Sequence, residues 1–275
     1  MDSLVSTAWL ADALGTPDLV IVDATMLAAD LGRDARAEYR AGHIPGAVFL
    51  NLAELRDAAS PLPNTLPDAA TMAAHLAPLG IGNGARIVLY DDAPWRTAAR
   101  GWWLLRSYGI GDVAILDGGL ARWRAEGRPL ATGDETSPSR PVTPTFNEAR
   151  LRTMAQVRAN LASGAEQLLD ARSAARFTGE EADPHGAAPG HIPGARSIPY
   201  PRFFAADGTW KRGDALRAVF EDIDLDAPLV ATCGSGVTAA VIAFGAHLLG
   251  REAALYDGSW TEWGSDPTTQ KVTGA

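Results

Sequence analysis

Cysteine is almost absent from this sequence: Cys233 is the only one among 275 residues. A single cysteine excludes a disulfide framework within the chain. A free thiol also suits a reducing compartment, so the sequence predicts a cytoplasmic protein. We expect neither a metal nor a cofactor.

Long hydrophobic runs and an excess of basic residues are also missing. No segment reaches the roughly 18 uninterrupted apolar residues that a membrane-spanning helix requires. The N-terminal segment has neither a basic stretch nor a long apolar one, so no signal or transit peptide is indicated. The chain carries 24 basic and 33 acidic residues, a net charge of −9, which disfavours nucleic acids and anionic membranes as partners. We expect a soluble protein and a monomer.

What the sequence does contain is one pattern used twice. With 275 residues and 47% hydrophobic content, the chain is long enough for two ordinary cores. Five landmark residues of the first half recur in the second at offsets of 140 to 148 residues, which indicates duplication of a whole domain. The pairs are Asp23 and Asp170, His43 and His191, Asp91 and Cys233, Asp117 and Asp257, and Trp123 and Trp263.

Each half alternates short apolar runs with segments of helical periodicity. The run 19–23 predicts a buried strand, for example, and 97–108 predicts a helix. This alternation predicts an α/β fold in which each half forms a parallel sheet flanked by helices. Because turn-forming residues without periodicity follow the first half, we predict a first domain over 1–130, a linker over 131–147 and a second domain over 148–275.

The only cysteine lies where a predicted strand gives way to a helix. An apolar run ends at residue 232, and 238–249 has helical spacing. Gly234, Ser235 and Gly236 lie between them and allow backbone amides to turn toward one point, where a helix N-terminus receives an anion. A thiolate held there is stabilised as a nucleophile. The alternative is a buried structural cysteine, which would call for apolar packing instead of glycines.

The segment from Cys233 to Thr238, Cys-Gly-Ser-Gly-Val-Thr, resembles the active loop of the two-domain rhodanese family. It is most similar to the loop of members that use 3-mercaptopyruvate, whereas thiosulfate-specific members typically carry Cys-Arg-Lys-Gly-Val-Thr. Further matching segments are 170–172, 190–195 and 256–263, and the resemblance covers nearly the whole chain. It implies two tandem rhodanese-like domains and a sulfurtransferase whose cysteine carries sulfur as a persulfide.

The resemblance also implies which residues bind the substrate. It implies that Arg176 binds the substrate carboxylate, because its guanidinium has two parallel N–H groups. The position of Arg172 in this family is usually part of the network that supports the site. A surface ion pair is the alternative for both arginines. His185 stands where relatives often have a second arginine, although a neutral imidazole is a weaker carboxylate anchor. The loop residues implied to contact the substrate are Gly234, Gly236, Val237 and Thr238.

Two histidines occur in copies of the motif His-Ile-Pro-Gly-Ala. In the family that the loop resembles, a relay joins the positions of Ser235, His43 and Asp34, and it would deliver a proton to the leaving enolate. The alternative is that each histidine stabilises its own turn by bonding nearby backbone groups. We expect His191 to be structural.

The first half cannot carry out thiol chemistry. Asp91 stands where the second half has Cys233, and Asp-Ala-Pro-Trp follows it in place of the glycines. This agrees with the resemblance, which implies a catalytically silent N-terminal domain.

The resemblance therefore implies a sulfurtransferase that takes sulfur from 3-mercaptopyruvate and passes it to a thiol, a thioredoxin-like protein or cyanide. Gly234 and Ser235 carry no charge. An uncharged loop suits 3-mercaptopyruvate, whose charge lies on a carboxylate several bonds from its sulfur, better than it suits thiosulfate, a compact dianion. Thiosulfate sulfurtransferase and persulfide carrier remain open as alternatives. A cysteine phosphatase with a Cys-x5-Arg loop would need arginine where the chain has Ala239, so that class is disfavoured.

Overall fold

The computed structural model describes residues 1–28 and 31–274 and divides the chain into two compact units. The first unit comprises residues 1–58, 66–147 and 206–210, and the second comprises 59–65, 148–205 and 211–275. Each unit therefore contains a short segment from the opposite half of the sequence. No pattern in the sequence predicted this exchange.

The first unit alternates strands and helices in the order expected. Its elements are β1 (Leu4–Val5), α1 (Thr7–Ala13), β2 (Leu19–Asp23), α2 (Ala35–Ala41), β3 (Ala47–Phe49), α3 (Ala69–Leu76), β4 (Arg86–Tyr90), α4 (Ala98–Ser107), β5 (Val113–Leu116) and α5 (Gly119–Ala125). All strand pairs are parallel, and the order across the sheet is β1-β5-β4-β2-β3.

The second unit repeats this arrangement. Its elements are β6 (Leu151–Arg152), α6 (Met154–Ser163), β7 (Gln167–Asp170), α7 (Ala174–Thr178), β8 (Arg196–Ser197), α8 (Gly213–Arg217), β9 (Leu229–Thr232), α9 (Ala239–Leu248), β10 (Ala253–Tyr256) and α10 (Ser259–Ser265). The sheet order β6-β10-β9-β7-β8 is that of the first unit, strand for strand, and it is again parallel throughout. Two parallel sheets flanked by helices confirm the predicted fold class.

A buried tryptophan closes the core in the same way in both units. Trp123 of α5 and Trp263 of α10 are both fully buried. Their indole N–H groups donate to backbone carbonyls just beyond each helix, to Pro129 O at 2.8 Å and to Gln270 O at 2.9 Å. Because the indole needs a hydrogen-bond partner when it is buried, these contacts also fix the chain that leaves each helix.

The segment 131–147, predicted as a linker, packs on the first unit. It forms no helix or strand apart from a bridge between Ala131 and His43, and all of its residues are described. Arg140 donates to Pro17 O at 2.7 Å, and the backbone N–H of Asn147 donates to Ser107 O at 2.8 Å. Among the described residues, no helix is long and apolar enough to cross a membrane.

Candidate active site

The site of Cys233 is built on the central strand of the second sheet. Strand β9 is buried along its length and lies between β10 and β7. Asp170 at the end of β7 pairs with Thr232 at the end of β9. This register places Cys233, which is 2% exposed, at the same sheet edge as the residues that follow Asp170, as the parallel topology requires.

Backbone groups hold the loop after β9 in place around the sulfur. The N–H of Gly236 donates to Cys233 Sγ at 3.2 Å, and Gly236 has a φ of +83°, a conformation that favours glycine. On the other side, the N–H of Trp260 donates to Cys233 O at 2.9 Å and that of Thr261 to Gly234 O at 2.8 Å. The loop is therefore fixed by the first turn of α10 while one of its own amides is directed at the sulfur.

The last two loop residues, Val237 and Thr238, lead directly into α9. Val237 is 7% exposed, and its carbonyl accepts from Ala240 N. Thr238 is the N-cap residue of the helix, and its carbonyl accepts from Val241 N at 3.0 Å. The sulfur thus lies next to a helix N-terminus, which carries a partial positive charge.

Arg176 lies directly beside the loop. A Cβ atom placed on Gly234 would be 2.9 Å from Arg176 Nη2, so only glycine leaves room for the guanidinium at this distance. The same Nη2 donates to Asp183 Oδ2 at 2.5 Å. The Asp183 side chain is only 2% exposed and that of Arg176 is 19% exposed, and Arg176 Nε is buried with no hydrogen-bond partner among the described residues. The arginine is oriented by Asp183 and retains an unpaired buried N–H.

Arg172 forms a buried ion pair and not a surface one. Its Nε and Nη2 donate to the Asp170 carboxylate at 3.0 and 2.7 Å, and Nη2 also donates to Gly190 O at 2.9 Å. The guanidinium carbon lies 4.5 Å from the centre of the Trp260 ring, and both charged side chains are 1% exposed. These contacts are those of a supporting network; a substrate contact of Arg172 stays a prediction.

His185 lies in an exposed turn of the second unit. Its backbone N–H donates to Asp183 Oδ1 at 2.9 Å, so the two oxygens of Asp183 hold the turn and Arg176 at once. Binding of the substrate by the His185 imidazole stays a prediction. Asp183 was not singled out from the sequence, although an Asp-Pro-His turn is a local signal that could have indicated it.

Ser235 has a contact that sequence reasoning missed. Asn64 Nδ2 donates to both Ser235 O and Ser235 Oγ, each at 3.2 Å. Asn64 lies in the segment 59–65, which belongs to the second unit. No local pattern links residues separated by 171 positions, so the sequence offered no signal for this pair.

His43 and Asp34 have local contacts within the first unit. The Asp34 carboxylate caps α2 by accepting from Arg36 N at 2.9 Å and Ala37 N at 3.0 Å. His43 is fully buried, Nδ1 donates to Tyr39 O at 2.8 Å, and its ring stacks on that of Tyr39. His43 Nε2 has no hydrogen-bond partner among the described residues. Participation of His43 and Asp34 in a relay stays a prediction.

His191 repeats the arrangement of His43 in the second unit. Its Nδ1 donates to Phe177 O at 2.9 Å and its ring stacks on Phe177. His43 also forms an isolated bridge with Ala131, and His191 forms one with Val272, in each case with the chain that follows the last helix of the unit. The shared contacts are those of a histidine that stabilises a turn.

Asp91 occupies in the first unit the place of Cys233 in the second. It follows β4, is buried, and accepts from Ala93 N at 3.1 Å and Ala98 N at 2.8 Å. Burial raises the pKa of Asp91 to about 6. The Asp91 carboxyl group therefore accepts hydrogen bonds from two backbone amides. The first unit has no thiol at this position.

The comparisons with known proteins agree with this architecture. The model of the rhodanese-like domain matches the chain twice, at residues 6–126 and 153–266. The chain belongs to the rhodanese family. Each match lies within one half of the sequence, so the family domain is present in tandem.

Relatives within the rhodanese family span nearly the same length as this chain. The human 3-mercaptopyruvate sulfurtransferase is 40% identical over 95% of this chain and 91% of the relative. The rat thiosulfate sulfurtransferase is also 40% identical, with the same two coverages. The crystal structure of SseA from Escherichia coli, described as a 3-mercaptopyruvate sulfotransferase, matches with a TM-score of 0.87 and 36% identity over 94% of this chain and 99% of that one.

Proposed function

We propose that this rhodanese-family protein is a sulfurtransferase that takes sulfur from 3-mercaptopyruvate through a persulfide on Cys233. The observation that carries the proposal is the pairing of a thiol, which accepts a hydrogen bond from Gly236 N–H, with the guanidinium of Arg176 beside Gly234. A nucleophilic sulfur with a carboxylate anchor beside its loop is what a mercapto-keto acid requires.

The first half-reaction transfers the sulfur to the enzyme. The Cys233 thiolate attacks the donor sulfur, an S–S bond forms, and the C–S bond breaks with its electron pair on carbon. Pyruvate leaves as its enolate and takes up one proton, while the persulfide that remains loses one to solvent. Arg176 binds the donor carboxylate, and Ser235 is the proposed proton source for the enolate.

The second half-reaction returns the cysteine to its starting state. The sulfur of a thiol or the carbon of cyanide attacks the outer sulfur of the persulfide, and the Cys233 thiolate leaves. Thioredoxin-like proteins are included among the proposed thiol acceptors. A reducing compartment such as the cytoplasm would keep both the thiol and its acceptor reduced, and we propose that the protein acts there as a monomer.

Thiosulfate is the second candidate donor, because relatives named for each donor are equally similar to this chain. Its outer sulfur would be transferred with sulfite as the leaving group. The absence of cationic side chains at positions 234 and 235 favours 3-mercaptopyruvate, since a dianion gains more from such charges than a monoanion does. Delivery of the persulfide to a protein partner is the non-catalytic alternative.

The test is intact mass and turnover in a panel of donors. After incubation with 3-mercaptopyruvate, the mass should rise by about 32 Da, one sulfur atom, and turnover with a thiol acceptor should follow. Cys233→Ser should show neither. A folded Cys233→Ser variant that still gains sulfur would disprove the proposal, and loading without turnover would favour the carrier alternative.

A further inference from the structure

Asn64 is a polar side chain from the first half of the sequence that donates hydrogen bonds to the active loop. Its Nδ2 donates to the carbonyl oxygen and to the hydroxyl oxygen of Ser235, each at 3.2 Å. Both residues are half-buried. Asn64 itself has a φ of +59°, in the left-handed region that asparagine tolerates better than most residues. The segment is thus bent so that this amide reaches the loop.

The two hydrogen bonds restrict what the Ser235 hydroxyl can do. A hydroxyl has one hydrogen and two acceptor lone pairs. Because one lone pair faces the N–H of Asn64, the hydroxyl hydrogen cannot be directed at Nδ2 and is available to another acceptor. A hydrogen bond accepted by a hydroxyl also strengthens its own O–H as a donor. The contact to the carbonyl of the same residue fixes the backbone from which the hydroxyl extends.

We infer that Asn64 is a positioning residue: it sets the Ser235 hydroxyl as a proton donor to the enolate that leaves when the C–S bond of 3-mercaptopyruvate breaks. This inference rests on the proposed function. The role concerns only donors whose leaving group needs a proton. Sulfite leaves thiosulfate with the electron pair of the S–S bond and without protonation, so sulfur transfer from thiosulfate should not depend on Asn64.

The central experiment is a double-mutant cycle with Asn64→Gly and Ser235→Ala. Glycine is chosen because it removes the amide and adopts the positive φ without strain. Asn64→Gly should lower kcat for 3-mercaptopyruvate by roughly 5- to 10-fold, the effect of one hydrogen bond. In the Ser235→Ala background the same substitution should change kcat by less than about 2-fold. With thiosulfate, kcat should be unchanged.

Thr65→Val is the matched control for disturbance of the segment. Thr65 is adjacent to Asn64, and its Oγ1 is buried with no hydrogen-bond partner among the described residues. Valine keeps its shape and removes the hydroxyl. This variant should turn over 3-mercaptopyruvate like the parent.

The outcomes separate this inference from the proposed function. An equal loss in both Ser235 backgrounds, or an equal loss with both donors, would mean that Asn64 only supports the fold of the loop, and the positioning role would be overturned. No loss in any background would overturn it as well. If the parent gains no sulfur on Cys233 from 3-mercaptopyruvate, the proposed function fails first and the role of Asn64 fails with it.

Discussion

Arg176 is held by a carboxylate of the protein at the place where a substrate carboxylate is proposed to bind. Asp183 is almost fully buried and accepts from Arg176 Nη2. A fixed guanidinium loses less conformational entropy when it binds a ligand than a mobile one does. Asp183 thus orients Arg176 before the substrate binds. Its negative charge competes with the substrate carboxylate for the charge of the guanidinium.

Replacement of Arg176 tests this arrangement at the residue scale. Arg176→Ala should lower kcat/KM for 3-mercaptopyruvate by roughly 10- to 150-fold, because a charge-assisted pair contributes about 1.5 to 3 kcal/mol. Arg176→Lys should lose less, since it keeps the charge beside Asp183 but not the planar fork. Steady-state kinetics with both variants measures the difference.

The matched control for Arg176 is Arg202→Ala. Arg202 belongs to the same unit, and its side chain is 43% exposed with an ion pair of 3.4 Å to Glu221. Such exposed pairs contribute little, so kcat/KM should not change. A folded Arg176→Ala variant with parental kcat/KM would show that this arginine does not bind the substrate. Circular dichroism checks that the variant still folds, because the substitution leaves Asp183 without its ion pair.

At the scale of the element, positions 234 and 235 of the active loop differ in the room they leave for a larger side chain. Gly234 has no room for a side chain without displacement of the Arg176 guanidinium, whereas Ser235 is half-buried. An arginine at position 234, which the thiosulfate-specific loop carries, would therefore move Arg176 as well as add charge. The effect of loop charge is tested more cleanly at position 235 alone.

Ser235→Lys should shift donor preference toward thiosulfate. One charge-assisted contact to the dianion should raise kcat/KM for thiosulfate roughly tenfold. Activity with 3-mercaptopyruvate should fall, because the proposed proton donor is lost. The ratio of kcat/KM for the two donors is the measurement, and a ratio equal to that of the parent would place donor selection outside this residue.

Gly234→Ala separates the steric effect from the charge effect. It should lower kcat/KM for 3-mercaptopyruvate by displacing Arg176. Gly111→Ala is its control, since no atom lies within 4 Å of the added Cβ and the backbone there needs no positive φ; that variant should match the parent. Equal activities of Gly234→Ala and Gly111→Ala would show that the close approach of Arg176 has no kinetic role.

At the scale of the whole molecule, each unit is completed by a segment from the other half of the sequence. Residues 206–210 belong to the first unit. There the N–H of Trp210 donates to Asp117 Oδ1 at 2.8 Å, and Asp207 pairs with Arg122 at 3.4 Å. The stability of the first unit should therefore depend on a residue of the C-terminal half.

Trp210→Ala tests this dependence. Trp210 is 6% exposed, and truncation of a buried tryptophan costs about 3 to 5 kcal/mol, so Tm should fall by roughly 10 °C. Hydrogen exchange should increase in peptides that contain β4 and β5. Leu161→Ala, at a side chain that is 40% exposed, should leave both unchanged. An unaltered exchange rate in the first unit would show that the 206–210 segment does not stabilise it.

Features that depend on near neighbours along the chain could be predicted from the sequence. The apolar run 19–23 predicted β2 with its observed ends, and the nearly constant offset of 140 to 148 residues between landmarks predicted two copies of one domain. The position of Cys233 followed from the same local pattern, because a glycine-rich turn between a strand and a helix brings amides toward a single point. The lack of glycines after Asp91 likewise predicted that the first half has no such turn.

Contacts between groups that are distant along the chain became apparent only in the folded structure. Arg176 lies so close to Gly234 that an added Cβ would be 2.9 Å from its Nη2, and it forms an ion pair with Asp183. Asn64 reaches Ser235 across 171 positions. The burial of Arg172, for which the sequence left a surface pair open, was decided in the same way. Such pairs depend on long-range packing, which local hydrophobic and turn patterns do not encode, and the exchanged segments 59–65 and 206–210 follow the same rule.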